Sequence, residues 1–401
     1  MRHRHWIALA ATFAALVLGG CTSGVTTGSD RQFVGSDKCQ SCHQAEYTTW
    51  KATWHSKMVR TAKDGLLKDA GENWAKDGKG NAGPTKANIS GAPAKMEDVV
   101  WVVGSRWKQR FLVPNAASGG HQFLDKQWNT IHKQWEPYGQ KNTWEAQCST
   151  CHATGYKVLA VNDKGSVTQW AMSEKNVGCE ACHGPGSRHA GTGDKKQIFN
   201  PKNASLADSS KVCGYCHIRV ENYQYKTPEG NAAEFLPHPV IGDSYKAGTD
   251  DWTTWYPDKV LLVGIQANDP INKNYPNTDL NNAFHIDEAA QKSGYFEARK
   301  HHEQYQEHLQ SKHHKNNVAG CTTCHSPHAT KAQPKPVAAA DSCKACHGNA
   351  MNDLDKTMPG LASTAQNLFV RAHTFNPNIA ARKGGPTVPA NAPEPAYYYR
   401  K

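Results

Sequence analysis

Gly178-Cys179-Glu180-Ala181-Cys182-His183-Gly184-Pro185-Gly186 carries the pattern that decides how this chain folds. Two cysteines separated by two residues and followed at once by histidine recur at Cys39/Cys42/His43, Cys148/Cys151/His152, Cys179/Cys182/His183, Cys213/Cys216/His217, Cys321/Cys324/His325 and Cys343/Cys346/His347. Sulfurs at this spacing reach both vinyl groups of one porphyrin, while the adjoining imidazole binds its iron from the same side. Zinc ribbons, redox dithiols and structural disulfides also use Cys-x-x-Cys, but none of them requires histidine next. Every pair here has it, and of the 13 cysteines only Cys21 is left over. The pattern implies six covalently bound haem c groups, their irons held proximally by His43, His152, His183, His217, His325 and His347.

Cys21 has its own explanation. Arg2 and Arg4 precede an apolar run from Trp6 to Leu18, too short to span a bilayer and typical of an export signal. The run ends Leu18-Gly19-Gly20-Cys21, which resembles the lipobox of bacterial lipoproteins, so Cys21 is the expected lipidation site. Thr22 in second place resembles the outer-membrane class of such proteins. A periplasmic or outer-membrane lipoprotein, facing either side, is the expectation, and no later stretch is apolar enough to span a membrane.

Composition alone would suggest a chain short of core, with 38% hydrophobic residues and a mean hydropathy of -0.71. Porphyrins supply the missing apolar surface. The formal charge of +11 includes Arg2 and Arg4 of the signal. Haem propionates offset much of the remainder, so the basic count does not argue for nucleic acid.

The expected fold is mainly α with long irregular segments, a multihaem cytochrome c array with one small β-sheet. Residues 1–20 read as the signal and 21–36 as a lipidated tether. Residues 37–222 carry the first four motifs, 223–298 form a haemless wrapping region, 299–380 carry the last two motifs, and 381–401 read as a disordered tail. Ser36 or Asp37 is expected to cap a helix running through Tyr47, Trp50 and Trp54 to about Met58. Residues 76–95 read as a loop that separates the first haem from the next group. Val99–Val103, Trp107–Val113 and Gln122–Leu124 read as three strands. A polar helix is expected over about 299–315.

A haem iron has a second axial position, and its occupant separates electron carriage from substrate binding. Thirteen of the 21 histidines are neither proximal nor in the signal. His55, twelve residues after His43, would point about 120° away from it on one helix and so can serve only a neighbouring haem. His189 follows the Gly184-Pro185-Gly186 turn, His328 follows Ser326-Pro327, and His373 is the single histidine beyond the last motif. His302 and His313 fall within about 20° of one helical face, with His301 and His314 as one-residue alternatives.

These stretches resemble the multihaem cytochromes related to cytochrome c-554, within the hydroxylamine oxidoreductase-like superfamily. The resemblance rests on Val34-Gly35-Ser36 to Cys39 with Trp50 and His55, on Gly104-Ser105-Arg106-Trp107-Lys108-Gln109-Arg110, and on Gln127-Trp128-Asn129. It continues through Cys148 to Tyr156, Gly178 to Ser187, His302-Glu303-Gln304-Tyr305, Ser311-Lys312-His313 and Cys321 to His328. It implies His55, His189, His302, His313, His328 and His373 as six distal ligands. His121, His132, His238 and His285 are reserves. No Cys-x-x-Cys-Lys motif signals the lysine-ligated catalytic haem found elsewhere in that superfamily.

The expected function is electron transfer between redox partner proteins of the periplasm or cell envelope, without catalytic residues of its own. The alternatives are a reductase or oxidase of a small nitrogen or sulfur species at one five-coordinate haem, and a subunit of an extracellular haem filament.

Overall fold

The computed structural model describes residues 31–87, 89–104, 108–116, 119–139, 143–161, 167–214, 216–217, 225–226, 232–233, 284–285, 288–299, 302–328, 340–348, 354–360 and 371–379. The signal, Cys21, most of the 223–298 stretch with His238, His301 and the 381–401 tail lie outside the described residues.

The N-terminal part is built from short helices: α1 Ser36–Gln40, α2 Gln44–Lys51, α3 Ala62–Gly65, α4 Lys68–Glu72, α5 Trp144–Gln147, α6 Ser149–His152, α7 Cys179–His183, α8 Ser187–Thr192 and α9 Leu206–Gly214. Helices this short do not persist on propensity alone and depend on what they pack against. The single helix expected from residue 37 to 58 is two. His43 leaves the helical region at φ -117 and ψ 48, which separates α1 from α2, and Gly35 rather than Ser36 or Asp37 stands at the cap.

The sheet is larger than the three strands expected. Strands β1 Val59–Thr61, β2 Trp101–Val103, β3 Lys108–Asn115, β4 Gly120–Asn129 and β5 Gln134–Pro137 form an antiparallel meander in sequence order. Val59 pairs with Val103, Val102 with Phe111, Leu112 with Phe123 and Trp128 with Trp135. Period-two alternation sends Val102, Phe111, Val113, Leu124 and Trp128 to one face, against Leu67, Ala70 and Trp74. Val59, Val103, Leu112 and Phe123 go to the other, against Trp144, Ala153, Tyr156 and Cys148. Both faces are therefore buried, the second of them against a Cys-x-x-Cys-His motif.

Residues 76–95 form a loop as expected, but it belongs to the sheet and marks no boundary. Asp77 accepts backbone N–H bonds from Lys79, Asn81 and, on β5, Trp135. Asp125 on β4 accepts from the N–H and hydroxyl of Thr85.

Toward the C-terminus the expected polar helix is also broken. Helices Gln304–Gln310 and Lys312–Lys315 meet at Ser311, whose extended backbone ends the first and whose hydroxyl accepts the His314 N–H to cap the second. His302 precedes the first helix, so it shares no helical stripe with His313. Nor is this segment a solvated face. Tyr305, Gln306, Glu307 and Gln310 are buried, with Glu307 accepting from Ala298 N and His373 N and Gln310 bonded to Phe296 at both its amide N–H and its carbonyl.

Candidate haem-binding site

All six motifs lie among the described residues, each carried by or beside a short helix, and none of their cysteines forms a disulfide. Five proximal imidazoles face a second imidazole. The ring centres are 6.1 Å apart for His43 and His189, 6.3 Å for His217 and His55, and 6.1 Å for His183 and His328. They are 6.0 Å apart for His325 and His373, and 5.9 Å for His347 and His313. This separation occurs in edge-to-face ring packing. It also suits one metal between two nitrogens, since two bonds of roughly 2 Å plus the offset of each nitrogen from its ring centre come to about 6 Å.

The geometry thus brings together five of the six expected distal histidines, each with a proximal partner on a different motif or element. It also separates His313 from its neighbour, because His314 turns to His308 at 5.5 Å instead. His152 differs: among the described residues no imidazole faces it at such a distance. His302 is half-buried, with its backbone N–H on the Glu303 carboxylate. The reserve histidines serve other ends. His121 stacks on Trp101 at 3.8 Å and bonds Glu145 through Nδ1 at 2.6 Å. His132 sits beside Asn129 and Glu136, and His285 donates its backbone N–H to Glu297.

The cysteine sulfurs, which stand for thioether sulfurs once haem is attached, set out how the motifs adjoin. Cys39 meets Cys179, Cys213 meets Cys321, and Cys216 meets Cys151 within hydrogen-bonding reach. Cys182 lies near Cys213 and Cys216, and Cys324 near Cys343 and Cys346. The motifs therefore run first, third, fourth, fifth, sixth, with the second attached at the fourth. Cys42 and His43 at one end and Cys346 and His347 at the other are exposed.

Electrostatics suit ligation. Burial lowers His55 and His152 to about 4 and His373 to about 3, and lowers His183, His217, His313 and His328 as well. A neutral imidazole is the form that binds iron. Outer hydrogen bonds orient several rings: His183 Nδ1 on the Phe199 carbonyl, His189 Nδ1 on that of Asp194, and His373 Nδ1 on that of Arg371.

Some of the residues that hold this arrangement carried no sequence signal. Glu180, fully buried, accepts N–H bonds from Val34, Gly35 and Gly186. It thereby ties the approach to the first motif to the turn that delivers His189. Between two cysteines it read only as a motif spacer.

The donor set and its spacing are those of a multihaem c-type cytochrome. Sequence comparison agrees: the family described as cytochrome c554 and c-prime matches residues 38–89 and 117–184. Cytochrome c-554 of Nitrosomonas europaea is 24% identical over 245 residues, covering 58% of this chain and 77% of that protein. Over these stretches the chain is similar to the cytochrome c-554-related family. Among solved structures, the outer cell wall cytochrome OcwA is similar with a TM-score of 0.48 and 19% identity, over 81% of this chain and 69% of that one. The undecahaem cytochrome from the S-layer of Carboxydothermus ferrireducens has a TM-score of 0.40 and 19% identity, over 83% of this chain and 45% of that one. Among the described residues no helix is long and apolar enough to cross a membrane.

Proposed function

We propose that the chain is a hexahaem electron conduit of the cell envelope, exported by its N-terminal signal and anchored through lipid on Cys21. The observation that carries this reading is the set of facing imidazoles, which would close five irons to substrate and leave them only electrons to exchange. The adjoining sulfurs support haem-to-haem transfer along one line, and the exposed first and sixth motifs suit exchange with redox partner proteins. The protein's work is then to space the haems, exclude water and tune each potential.

One observation favours a second reading. His152 has no facing imidazole among the described residues, so its haem is the candidate for an open iron that binds a small nitrogen or sulfur species. Family resemblance implies His302 among the distal ligands without saying which haem it serves. Low-temperature EPR of the oxidised protein, with carbon monoxide added to the reduced form, tests both. One high-spin haem taking up carbon monoxide is the expected outcome. No high-spin signal and no uptake would leave a pure conduit, and several open haems would overturn the conduit reading.

A further inference from the structure

Two of the three sulfur-to-sulfur contacts share a local device. Ser36 precedes Cys39 by three residues, and its hydroxyl accepts the backbone N–H of Cys179 at 3.0 Å. Ser210 precedes Cys213 by three residues, and its hydroxyl accepts the backbone N–H of Cys321, also at 3.0 Å. Both serines are buried, at 1% and 0% exposure. Each hydroxyl is also satisfied as a donor, Ser36 to Glu174 and Ser210 to the Leu206 carbonyl, both at 2.7 Å. A glycine precedes the receiving cysteine in both cases for a steric reason. A Cβ at Gly178 would overlap the Glu174 carboxylate and lie 2.6 Å from the Ser36 hydroxyl oxygen that this carboxylate binds, and one at Gly320 would lie 2.5 Å from the Ser210 hydroxyl oxygen.

The third contact lacks the device. Cys151 and Cys216 are the second cysteines of their motifs, Gln147 precedes Cys148, and Glu145 occupies the place three residues before it. The serine and the glycine therefore travel with one kind of junction. In that junction the first cysteine of one motif meets the first cysteine of another while a buried hydroxyl holds the second motif's backbone.

We infer that Ser36 and Ser210 are positioning residues that pin two equivalent haem pairs in register, the first with the third and the fourth with the fifth. The inference rests on the haem-array reading above. Each thioether is anchored to the backbone that the serine holds, so one hydroxyl fixes the offset between two porphyrin edges. Electron tunnelling and excitonic coupling both fall steeply with that offset. Neither serine touches a porphyrin or an imidazole in this role.

The test uses full-length, haem-loaded protein and the variants Ser36→Ala, Ser210→Ala and the double variant. Coupling is read from the bisignate Soret circular dichroism of the oxidised protein and from hydrogen exchange at the Cys179 and Cys321 amides. Haem content and low-spin EPR are measured on the same samples. Each single variant is expected to lose part of the couplet and the double variant the sum of the two losses, as for independent sites, with the remainder from the other adjoining motifs. Cys179 exchange should rise only with Ser36→Ala, and Cys321 exchange only with Ser210→Ala. Haem content and low-spin signals stay as in the parent, and Ser36→Thr and Ser210→Thr, which keep the hydroxyl, restore the couplet.

An unchanged couplet at full haem content overturns the inference and leaves the conduit reading standing. If Ser36→Ala loads fewer haems, Ser210→Ala poses the same question at the other junction. Haem loss in both, without rescue by threonine, assigns the serines to folding and overturns the inference. The conduit reading fails separately, if the parent protein does not pass electrons between its haems.

Discussion

Five motifs and one stand in different surroundings. At His43, His183, His217, His325 and His347 the second imidazole comes from a distant segment. At His152 the neighbourhood is the sheet: Cys148 packs on the Trp144, Tyr156 and Phe123 face, and the nearby His121 is held by Glu145 and Trp101. The difference teaches that short helices and turns bring a second imidazole to five motifs, whereas the sheet brings hydrophobic surface to His152. Among the described residues His152 alone of the six has no imidazole facing it at such a distance.

Several measurements break or sharpen that contrast. His189→Ala should make the first site resemble the second: one low-spin haem becomes high-spin and carbon monoxide uptake rises by one equivalent, with haem content unchanged. The same holds for His373→Ala at the fifth site, and a spectrum that stays low-spin in either variant would remove that ligand from the set.

Glu180→Gln should cost about 2–4 kcal/mol in thermal or denaturant unfolding, because a buried carboxylate that accepts three N–H bonds is replaced by an amide with less acceptor capacity. The first site should loosen before the others, seen as a selective change in the EPR signal of the His43 haem. A loss spread evenly over all haems would contradict this.

On the sheet side acid should act through Asp77. Burial raises Asp77, but its hydrogen bonds from Asn81, Trp135 and Lys79 outweigh this and bring it from 3.8 to about 2. A depressed carboxylate stabilises the fold above its unfolded value and loses that contribution as pH falls through the folded one. Amide exchange at Trp135 should therefore accelerate between pH 3.8 and about 2, and Asp77→Asn should remove the step.

The smallest expected effect is that of His302→Ala. The low-spin count should not change, since His302 does not face His152 in this structure. A lost low-spin signal would instead assign His302 to that haem and make all six sites alike.

How much of this was legible from sequence follows from where each signal resides. The Cys-x-x-Cys-His pattern is a local spacing, so the twelve cysteines and the six histidines next to them are read directly from the sequence as candidates for haem attachment. Distal ligation is a tertiary fact. Residue spacing showed only that His55 must serve a neighbour, and the rest came through family resemblance. Strands β2 and β3 show in the apolar runs Val99–Val103 and Phe111–Val113, but β1 has three residues and β5 four, too short for alternation to register. The helix break at Ser311 was hidden because serine within a histidine-rich polar run reads as an ordinary exposed position, although its hydroxyl starts a new helix. Ser36 had been read as a helix cap. Its actual partner, the Cys179 amide, is far away in the chain, and no local pattern announces it.

The imidazole pairs also bear on how the chain is tied together. The spans from His43 to His189, from His183 to His328 and from His325 to His373 overlap like links, each opened before the preceding one is closed. On the proposed ligation, iron would do for this polypeptide what disulfides do for others: it would cross-link sequence that peptide bonds alone leave far apart. A protease cut between the fourth and fifth motifs should yield two fragments that still migrate as one particle, held across the His183 and His328 iron, and that part only when its axial bonds are displaced.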